Sequence, residues 1–354
     1  MRIYKKQKNY CSRLYKRERK SYYNNLQVTD IIDNKMFWKS IQPFFSEKRK
    51  SINKITLVND DNVISDDALV AEEINEFFEN APNSLDIKDS HYLKELVTCN
   101  ITDSVDKAIY EFQNHPSILL IKSEITYSDR FSFYEASLKD IQNELINLDA
   151  SKSFALDTIS PKILKNSHES SSVIIKNIFN DSLNRCEFPQ ELKVADITPI
   201  YKKDDPTKAK NYRPISILPV VSKLFEKVIQ KQLNKYIDAF LSPYLCGYRK
   251  GFSTQQALIS LTEKWRRNLD NKGFCGGIFM DLSKAFDTIN HDLLIAKLYA
   301  YGFSKVSSRF LKSYLTNRWQ RTKVNRSFST WTELMLGVPQ GSVLGPILFN
   351  IFIN

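Results

Sequence analysis

The chain has 354 residues, of which 42% are hydrophobic and 26% are charged, a composition typical of a globular protein with two or three domains. No apolar run is long enough to span a membrane, and the basic start MRIYKKQKNY leads into no apolar segment, so we expect neither a membrane anchor nor a signal peptide. The five cysteines are scattered and form no CxxC pair. This pattern argues against a disulfide framework or a zinc site and favours a reducing, intracellular compartment, either nucleus or cytoplasm.

The net charge of +11 is unevenly distributed along the chain. Residues 1–50 hold 14 Lys and Arg against 4 Asp and Glu, residues 51–150 hold 7 against 20, and residues 151–354 hold 30 against 16. Because basic stretches neutralise phosphates, we expect the first and third zones to contact nucleic acid and the acidic middle zone to repel it. The basic N-terminal segment fits two alternatives equally: a contact for RNA or for nuclear entry, or a solvated helix face or flexible tail.

Apolar residues at helical spacing predict amphipathic helices along the chain. The first has its apolar stripe between Val70 and Ala81, with Ser65 and two aspartates at its start. Further stripes lie within residues 138–148, 175–183, 221–237 and 258–269, and one helix is predicted to begin at Ser160 and Pro161. We interpret each stripe as a face that packs in the core.

Three segments are predicted to form β-structure. Alternating residues on both sides of the loop in ADITPIYKKDDPTKAKNYRPISIL indicate a hairpin, as do those around NRS in QRTKVNRSFSTWTEL. The continuous apolar run FCGGIFMDL, residues 274–282, is typical of a buried central strand. Helices alternating with a few strands predict an α+β fold, with helices packed on an antiparallel sheet.

Two groups of polar residues in these strands could bind metal or phosphate. A carboxylate at the mouth of a buried strand, as expected for Asp281, is well placed to hold Mg²⁺, with the backbone carbonyl of Leu282 as a further ligand; a helix N-cap is the alternative. Lys202, Lys203 and Arg213 lie on the two arms of the first hairpin. They could converge on a triphosphate, or they could form a solvated turn.

A third group lies in GVPQGSVLGPILFNIFIN, near residue 354. Gly337, Pro339 and Gly341 predict a tight turn before an apolar helix, and glycine lets the backbone approach a base or sugar closely. The amide of Gln340 would point at the same place and could form hydrogen bonds with a nucleotide. The alternative is an ordinary glycine-rich helix entry.

Four successive segments, ITPIYKKDDPTKAKNYRPISILPVVSKLFEKVI, LSPYLCGYRKGFSTQQAL, FMDLSKAFDTINHDLL and GVPQGSVLGPILFNIFIN, together resemble the reverse transcriptases of non-LTR retrotransposons, particularly the jockey and RTE-like elements. SKSFALDTISPKILK and DNKMFWKSIQPFF are similar to the segment that precedes the polymerase in such elements. The resemblance implies the fingers and partial palm of a right-hand polymerase, preceded by a mostly helical N-terminal region. The implied domains are a basic helical connecting segment at 1–50, an acidic helical linker region at 51–125 and a reverse transcriptase domain at 126–354, without a thumb.

The resemblance implies an RNA-directed DNA polymerase that transfers nucleotides from dNTPs to a primer 3′ hydroxyl with two Mg²⁺ ions, on an RNA template. It makes Asp281 the catalytic residue and first metal ligand, and it leaves Asp287 a structural role. The residues that it assigns to the nucleotide are Lys202 or Lys203, Arg213, Phe286, Gln340 and Gly341. Phe286 would clash with a 2′ hydroxyl and so favour deoxynucleotides, unless it only packs in the core.

The residues that the resemblance assigns to the template are Arg249 and Ser253, in GYRKGFST. The sequence departs from the family's pattern at two places, of which only the first bears on template contacts. Leu245 and Cys246 stand where many relatives have a glutamine and an aromatic residue. SKSFALDT also lacks the glycines that are common between its serine and its aspartate, which could alter that turn.

In this family, the remaining metal carboxylates come from an aromatic-Ala-Asp-Asp hairpin downstream of the PQG helix, and neither YADD nor FADD occurs in these 354 residues. We therefore expect an internal fragment of a retrotransposon polyprotein, with no visible endonuclease and negligible polymerase activity on its own. Two other hypotheses stay open: a non-catalytic RNA-binding protein on a polymerase scaffold, and a decayed copy of an element. The occurrence of Asp281 together with Arg213, Phe286 and Gln340 favours descent from an active polymerase over a scaffold selected only for binding.

Overall fold

The computed structural model describes residues 54–59, 62–80, 101–127, 129–152, 154–155 and 159–354, together with part of the stretch from 10 to 21. The chain divides into two compact units, Met1–Lys54 and Ile55–Asn354. In the first unit, the described residues between 10 and 21 are helical and mostly exposed. The segment DNKMFWKSIQPFF and most of the basic connecting segment lie outside the described residues. The predicted division into three domains stays a prediction.

The strands of the second unit form a small hairpin and a five-stranded sheet. They are β1 Leu57–Asn59, β2 Asn62–Ile64, β3 Val194–Tyr201, β4 Tyr212–Ile217, β5 Arg318–Val324, β6 Ser327–Phe328 and β7 Thr332–Leu334. Both predicted hairpins are confirmed, since β3 pairs antiparallel with β4 and β5 pairs antiparallel with β6. The prediction of a purely antiparallel sheet is wrong, because β3 and β5 run parallel. The long helical connection between β3 and β5 allows the chain to return in the same direction.

Eleven helices lie in the described part of the second unit. They are α1 Asp67–Glu79, α2 Ser104–Glu111, α3 Pro116–Glu124, α4 Leu138–Ile146, α5 Pro161–Asn166, α6 His168–Asn184, α7 Val220–Ile237, α8 Thr254–Asp270, α9 His291–Ala300, α10 Lys305–Leu315 and α11 Gly345–Ile353. The predicted α+β class is confirmed. Among the described residues, no helix is both long and apolar enough to cross a membrane.

Helix starts follow the predicted capping chemistry, with one correction. The side chain of Ser160 accepts a hydrogen bond at the start of α5, as predicted. The N-cap of α1 is Asp66 rather than Ser65, because the Asp66 carboxylate accepts from the backbone N–H groups of Ala68 and Leu69. A carboxylate at this position also faces the positive end of the helix dipole. Ala81, predicted for the same helix, lies outside the described residues.

Two hydrophobic cores hold the second unit together. The larger core is built around α7, where Leu224, Ile229 and Leu233 are fully buried as the helical spacing predicts. The smaller core lies between α1 and the five-stranded sheet, where Ile74 packs with Ile197 and other strand residues. Helix α1 therefore covers one face of the sheet.

Polar contacts fix the N-terminal elements on the same sheet. The side-chain carbonyl oxygen of Asn75 on α1 accepts a hydrogen bond from Thr322 Oγ1 of β5 at 3.0 Å. The backbone N–H of Val58 on β1 donates to the carbonyl of Thr207, in the loop between β3 and β4, at 2.9 Å. Residues 55–80 thus brace both the sheet and the loop of its first hairpin.

Two segments predicted to be core are exposed instead. Helix α8 forms as predicted, but it has no buried residue, and Leu258 and Leu269 are each 59% exposed. The predicted strand at residues 274–282 does not form, and Phe274 and Met280 are 98% and 88% exposed. A strand is stabilised by hydrogen bonds to a neighbouring strand, and no described strand pairs with this run. The prediction of a buried central strand is therefore wrong for this structure.

Candidate functional site

The first hairpin places two of the three predicted phosphate-binding residues on one face. Arg213 lies opposite Ile200 in the pairing of β4 with β3, and the N–H of Lys202 extends the ladder by donating to the carbonyl of Asn211 at 2.8 Å. Since side chains alternate along a strand, Lys202 and Arg213 lie on the same face, and both are exposed. Lys203 follows in the turn, also exposed. The hairpin thus presents a basic face to solvent.

The loop Gly337–Gly341 is held on one side by the segment that follows Asp281. Gly337 N–H donates to the carbonyl of Ile289 at 2.8 Å, and Val338 N–H donates to the carbonyl of Phe286 at 2.9 Å. At φ 80°, Gly337 has the left-handed backbone that favours glycine, and a Cβ atom there would lie 2.6 Å from the Phe286 carbonyl oxygen. The predicted need for glycine in this turn therefore has a direct steric cause.

The buried side chain of His291 holds the same turn from the start of α9. Its Nε2 atom lies 2.7 Å from the carbonyl oxygen of Gly337, and since a carbonyl only accepts, the ring nitrogen donates. Burial lowers the pKa of His291, although this hydrogen bond alone would raise it. The neutral ring can form the contact with its Nε2–H. Sequence reasoning missed both His291 and the helix that it begins.

On its other side the loop contacts β4. Ser216 N–H donates to the backbone carbonyl of Gln340 at 2.7 Å. Gly341 has φ 132°, and a Cβ atom there would lie 2.5 Å from the Ser216 carbonyl oxygen. Because Arg213 lies on the same strand, the loop ties the basic hairpin to the segment around Phe286.

Gln340 also contacts Asp287 through its side chain. The amide Nε2 atom donates to Asp287 Oδ1 at 2.8 Å. Burial raises the pKa of Asp287, while the hydrogen bond from Gln340 and the charge of Lys284 act in the opposite direction. Asp287 and Gln340 line a cleft of about 130 Å³ together with Pro214 and other residues of α1, β4 and β7. The sequence assigned Asp287 only a structural role, and its contact with Gln340 went unforeseen.

Phe286 packs against aromatic neighbours. Its ring stacks on Phe349 with centroids 4.8 Å apart, and it meets the edge of Tyr248 at 5.7 Å. The ring is partly buried. Packing, one of the two predicted alternatives, is present; a contact with a sugar stays a prediction.

A buried glutamate accepts hydrogen bonds from the backbone between the loop and helix α11. Glu226 on α7 is fully buried, and its Oε2 atom accepts hydrogen bonds from the N–H groups of Val343 and Leu344, the latter at 3.1 Å. Burial raises the pKa of Glu226, opposed by the positive charge of Arg318 and by these two hydrogen bonds. Sequence reasoning missed Glu226. Its position three residues before buried Ile229 was a usable signal, because it puts a charge on the apolar stripe.

The two predicted template-binding side chains are engaged within the chain. Arg249 forms an ion pair with Asp238 at 2.8 Å and donates to the carbonyl of Ser242, which leaves its side chain 7% exposed. Ser253 caps the N-terminus of α8 in a capping box with Gln256. Both therefore stabilise local structure, and their contact with a template stays a prediction.

Asp281 and Leu282 do not lie at the mouth of a buried strand, as the sequence predicted. Both are exposed in a segment without strand structure, and the next helix, α9, is capped by Asn290, so Asp281 is no helix cap either. Carboxylate and carbonyl oxygens suit magnesium. Within the described ranges, however, no group of three or more His, Cys, Asp or Glu is placed to hold a metal ion.

Comparisons with known proteins show which family the sequence resembles. Residues 200–354 match the family model of reverse transcriptase (RNA-dependent DNA polymerase). The chain is 34% identical over 218 residues to the probable RNA-directed DNA polymerase from transposon BS of Drosophila melanogaster, covering 61% of this chain and 24% of that protein. It is 29% identical over 219 residues to the RNA-directed DNA polymerase from mobile element jockey of the same species, with the same two coverages.

A third relative is the probable RNA-directed DNA polymerase from transposon X-element of Drosophila melanogaster, 30% identical over 216 residues, which are 60% of this chain and 24% of that protein. The chain spans about a quarter of the length of these relatives. Every predicted nucleotide-binding residue lies within the range that matches the family model. The resemblance to the reverse transcriptases of non-LTR retrotransposons is confirmed by the match of residues 200–354 to the family model and by these relatives.

Proposed function

We propose that this chain serves RNA-directed DNA synthesis by a non-LTR retrotransposon. In that reaction the primer 3′ oxygen attacks the α-phosphorus of a dNTP paired with an RNA template, and pyrophosphate leaves. One observation carries the proposal: the loop Gly337–Gly341 joins β4, which bears Arg213, to the segment with Phe286 and Asp287. The loop therefore links, through its backbone and the Gln340 side chain, the two other parts of the sequence that carry residues assigned to the nucleotide.

Each predicted nucleotide contact has a physical role in this proposal. Arg213 offers a planar fork for two phosphate oxygens, and Lys202 or Lys203 adds a point charge beside it. Phe286 lies beside the sugar and disfavours a 2′ hydroxyl. Gln340 and Gly341 contact the nucleotide through the side-chain amide and the close backbone.

Contacts with the template are proposed for the start of α8. Arg249 lies in the turns that precede the helix, and Ser253 is its N-cap. Arg249 is held by Asp238 in this structure, so a template phosphate would have to compete with that carboxylate. We therefore expect Ser253 and its neighbours to contribute mostly through the shape of the groove.

Magnesium is proposed as the cofactor, with Asp281 and the Leu282 carbonyl as oxygen ligands. The described residues do not form that site by themselves. We propose that residues 274–282 become the predicted strand when they pair with a hairpin that carries further aspartates. Since no aromatic-Ala-Asp-Asp motif occurs in these 354 residues, the polypeptide alone should extend primers at most about a thousandth as fast as a complete enzyme.

Binding of a template, primer and dNTP tests the proposal on the chain as it is. In Mg²⁺ buffer, the complementary dNTP should tighten binding of a labelled RNA template and DNA primer, measured by fluorescence anisotropy. Arg213→Ala should weaken this effect about ten- to a hundredfold, because a hydrogen bond to a charged group is lost. Lys162→Ala, at an exposed position on α5, is the matched control and should change nothing.

Three results would contradict the proposal or part of it. Equal effects of complementary and mismatched dNTPs would remove the support for a polymerase site. RNA binding without any dNTP effect would favour the alternative of a non-catalytic RNA-binding protein. Strong Mg²⁺-dependent primer extension by the 354 residues, abolished in Asp281→Ala, would show that the expected inactivity is wrong.

A further inference from the structure

We propose that Asp287 is a positioning residue that sets the orientation of the Gln340 amide and so determines which nucleotide groups the cleft accepts. The inference rests on the proposed function for its ligand. Its geometric part, the orientation of the amide, can be tested without a nucleotide.

The chemistry of the contact fixes the direction of the amide. Gln340 Nε2 lies 2.8 Å from Asp287 Oδ1. An ionised carboxylate can only accept hydrogen bonds, so the amide must turn its N–H₂ group toward Asp287. The amide oxygen Oε1 of Gln340 then faces away from Asp287. Without Asp287 either end of the amide could face a ligand, because the two ends have the same shape.

Hydrogen bonds fix the backbone at both Gln340 and Asp287. The contact between their side chains then fixes the orientation of the amide. The Gln340 carbonyl accepts from Ser216 N–H, and Asp287 N–H donates to the carbonyl of Lys284 at 2.9 Å. The Gly337 backbone lies so close to Asp287 that a Cβ atom on it would be 2.7 Å from Asp287 Cα. The remaining freedom is in the long side chain of Gln340. Ordering a long side chain when a ligand binds costs conformational entropy. Because the hydrogen bond to Asp287 already orders the Gln340 side chain, binding of the ligand avoids most of this cost.

The charge of the cleft indicates which part of a nucleotide it accepts. Three carboxylates line it, from Glu79, Asp287 and Glu333, whereas the basic face lies on the hairpin with Arg213. The carboxylates repel phosphate, so the triphosphate belongs on the hairpin. The cleft suits the uncharged sugar or base. A fixed acceptor at Gln340 Oε1 selects a ligand group that donates, namely a sugar hydroxyl or a base N–H.

A double-mutant cycle tests whether Asp287 acts through Gln340. The readout is the tightening of the RNA–primer complex by the complementary dNTP, for Asp287→Ala, Gln340→Ala and the double variant. Each single change should weaken it about three- to tenfold, the effect of one hydrogen bond. The dNTP effect in the double variant should be no smaller than in Gln340→Ala. Once the Gln340 amide is gone, Asp287→Ala has no further hydrogen bond to remove. Effects that multiply in the double variant would overturn the inference.

A conservative variant separates positioning from simple loss of structure. Asp287→Asn keeps the shape and one acceptor oxygen, so it should retain most of the dNTP effect. If it weakens binding as much as Asp287→Ala while unfolding at the wild-type temperature, the acceptor at residue 287 is not what matters and the inference fails.

Side-chain NMR decides the orientation even if no nucleotide binds. In protein labelled with ¹⁵N-glutamine, the Gln340 amide signal is the one that disappears in Gln340→Ala. One of its protons should exchange slowly with solvent, and this protection should be lost in Asp287→Ala. An unprotected signal in the wild type, or one unchanged in Asp287→Ala, would refute the positioning. A wild-type chain with the protected proton but no dNTP effect would instead refute the proposed function.

Discussion

Glu226→Ala should strongly destabilise the second unit, because Glu226 is the buried acceptor for the backbone that leads into α11. Its carboxylate accepts from the backbone N–H groups of Val343 and Leu344 and lies 3.3 Å from the hydroxyl of Ser222. Truncation leaves two N–H groups without an acceptor, and each such loss costs about 1–3 kcal/mol. We expect the free energy of unfolding to fall by about 2–6 kcal/mol, a large part of the stability of a typical protein.

Glu226→Gln is the matched control for this change. The amide keeps an acceptor oxygen in the same place and has nearly the same shape. Since burial raises the pKa of Glu226, its environment already disfavours the charged form, and a neutral side chain should be tolerated. We expect a loss of about 1 kcal/mol.

Urea unfolding followed by far-UV circular dichroism measures both variants against the wild type. The midpoint should move far more for the alanine variant than for the glutamine variant, with little change in the slope. In thermal unfolding the alanine variant should melt roughly 5–20 °C lower, since 1 kcal/mol corresponds to a few degrees in a domain of this size. An alanine variant within about 1 kcal/mol of wild type, or a glutamine variant as unstable as the alanine variant, would refute the reasoning.

Three further predictions concern the loop, an ion pair and the exposed run. Gly341→Ala should abolish the dNTP effect in the anisotropy assay, because its Cβ would meet the backbone of β4, whereas Gly276→Ala, with open space around it, should be neutral. Burial alone would raise the pKa of Glu144, but ion pairs with two lysines of α7 lower it. Its stabilising contribution is therefore present above the unfolded pKa of about 4.3 and lost as the pH falls through the folded value; acid titrations of unfolding should show this loss in wild type and not in Glu144→Gln. Met280→Lys should reduce aggregation in light scattering and leave the melting temperature unchanged, since the side chain is 88% exposed.

Helices and strands were predicted from the sequence more accurately than the burial of their side chains. Helix α7 and the β3–β4 hairpin were both recognisable, because the periodicity of a helix or a strand is carried by the segment itself. The run FCGGIFMDL has the composition of a buried strand, yet it is exposed. Burial of a strand depends on the neighbour that pairs with it, and a pattern within one segment cannot supply that neighbour. The same holds for the apolar face of α8.

The turn of the candidate site was predictable from the sequence, but the contacts around it were not. Gln340 and Gly341 were singled out from the turn chemistry of GVPQG, and the structure confirms a tight turn there. The partner of the Gln340 side chain, Asp287, lies 53 residues away in sequence. No periodicity or spacing connects these positions. Only the fold, which places the loop between β4 and the segment before α9, brings them together.

The packing of α1 on the sheet also bears on how such chains can be recombined. The family match starts at residue 200, inside β3, whereas half of the buried residues of the smaller core lie between Leu57 and Phe78. The family-model match therefore starts inside a folding unit. If two elements exchanged their upstream regions at the edge of the match, α1 of one would have to fit the strands of the other. Residues 55–80 and the strands they cover should accordingly be inherited together, with substitutions on one side compensated on the other.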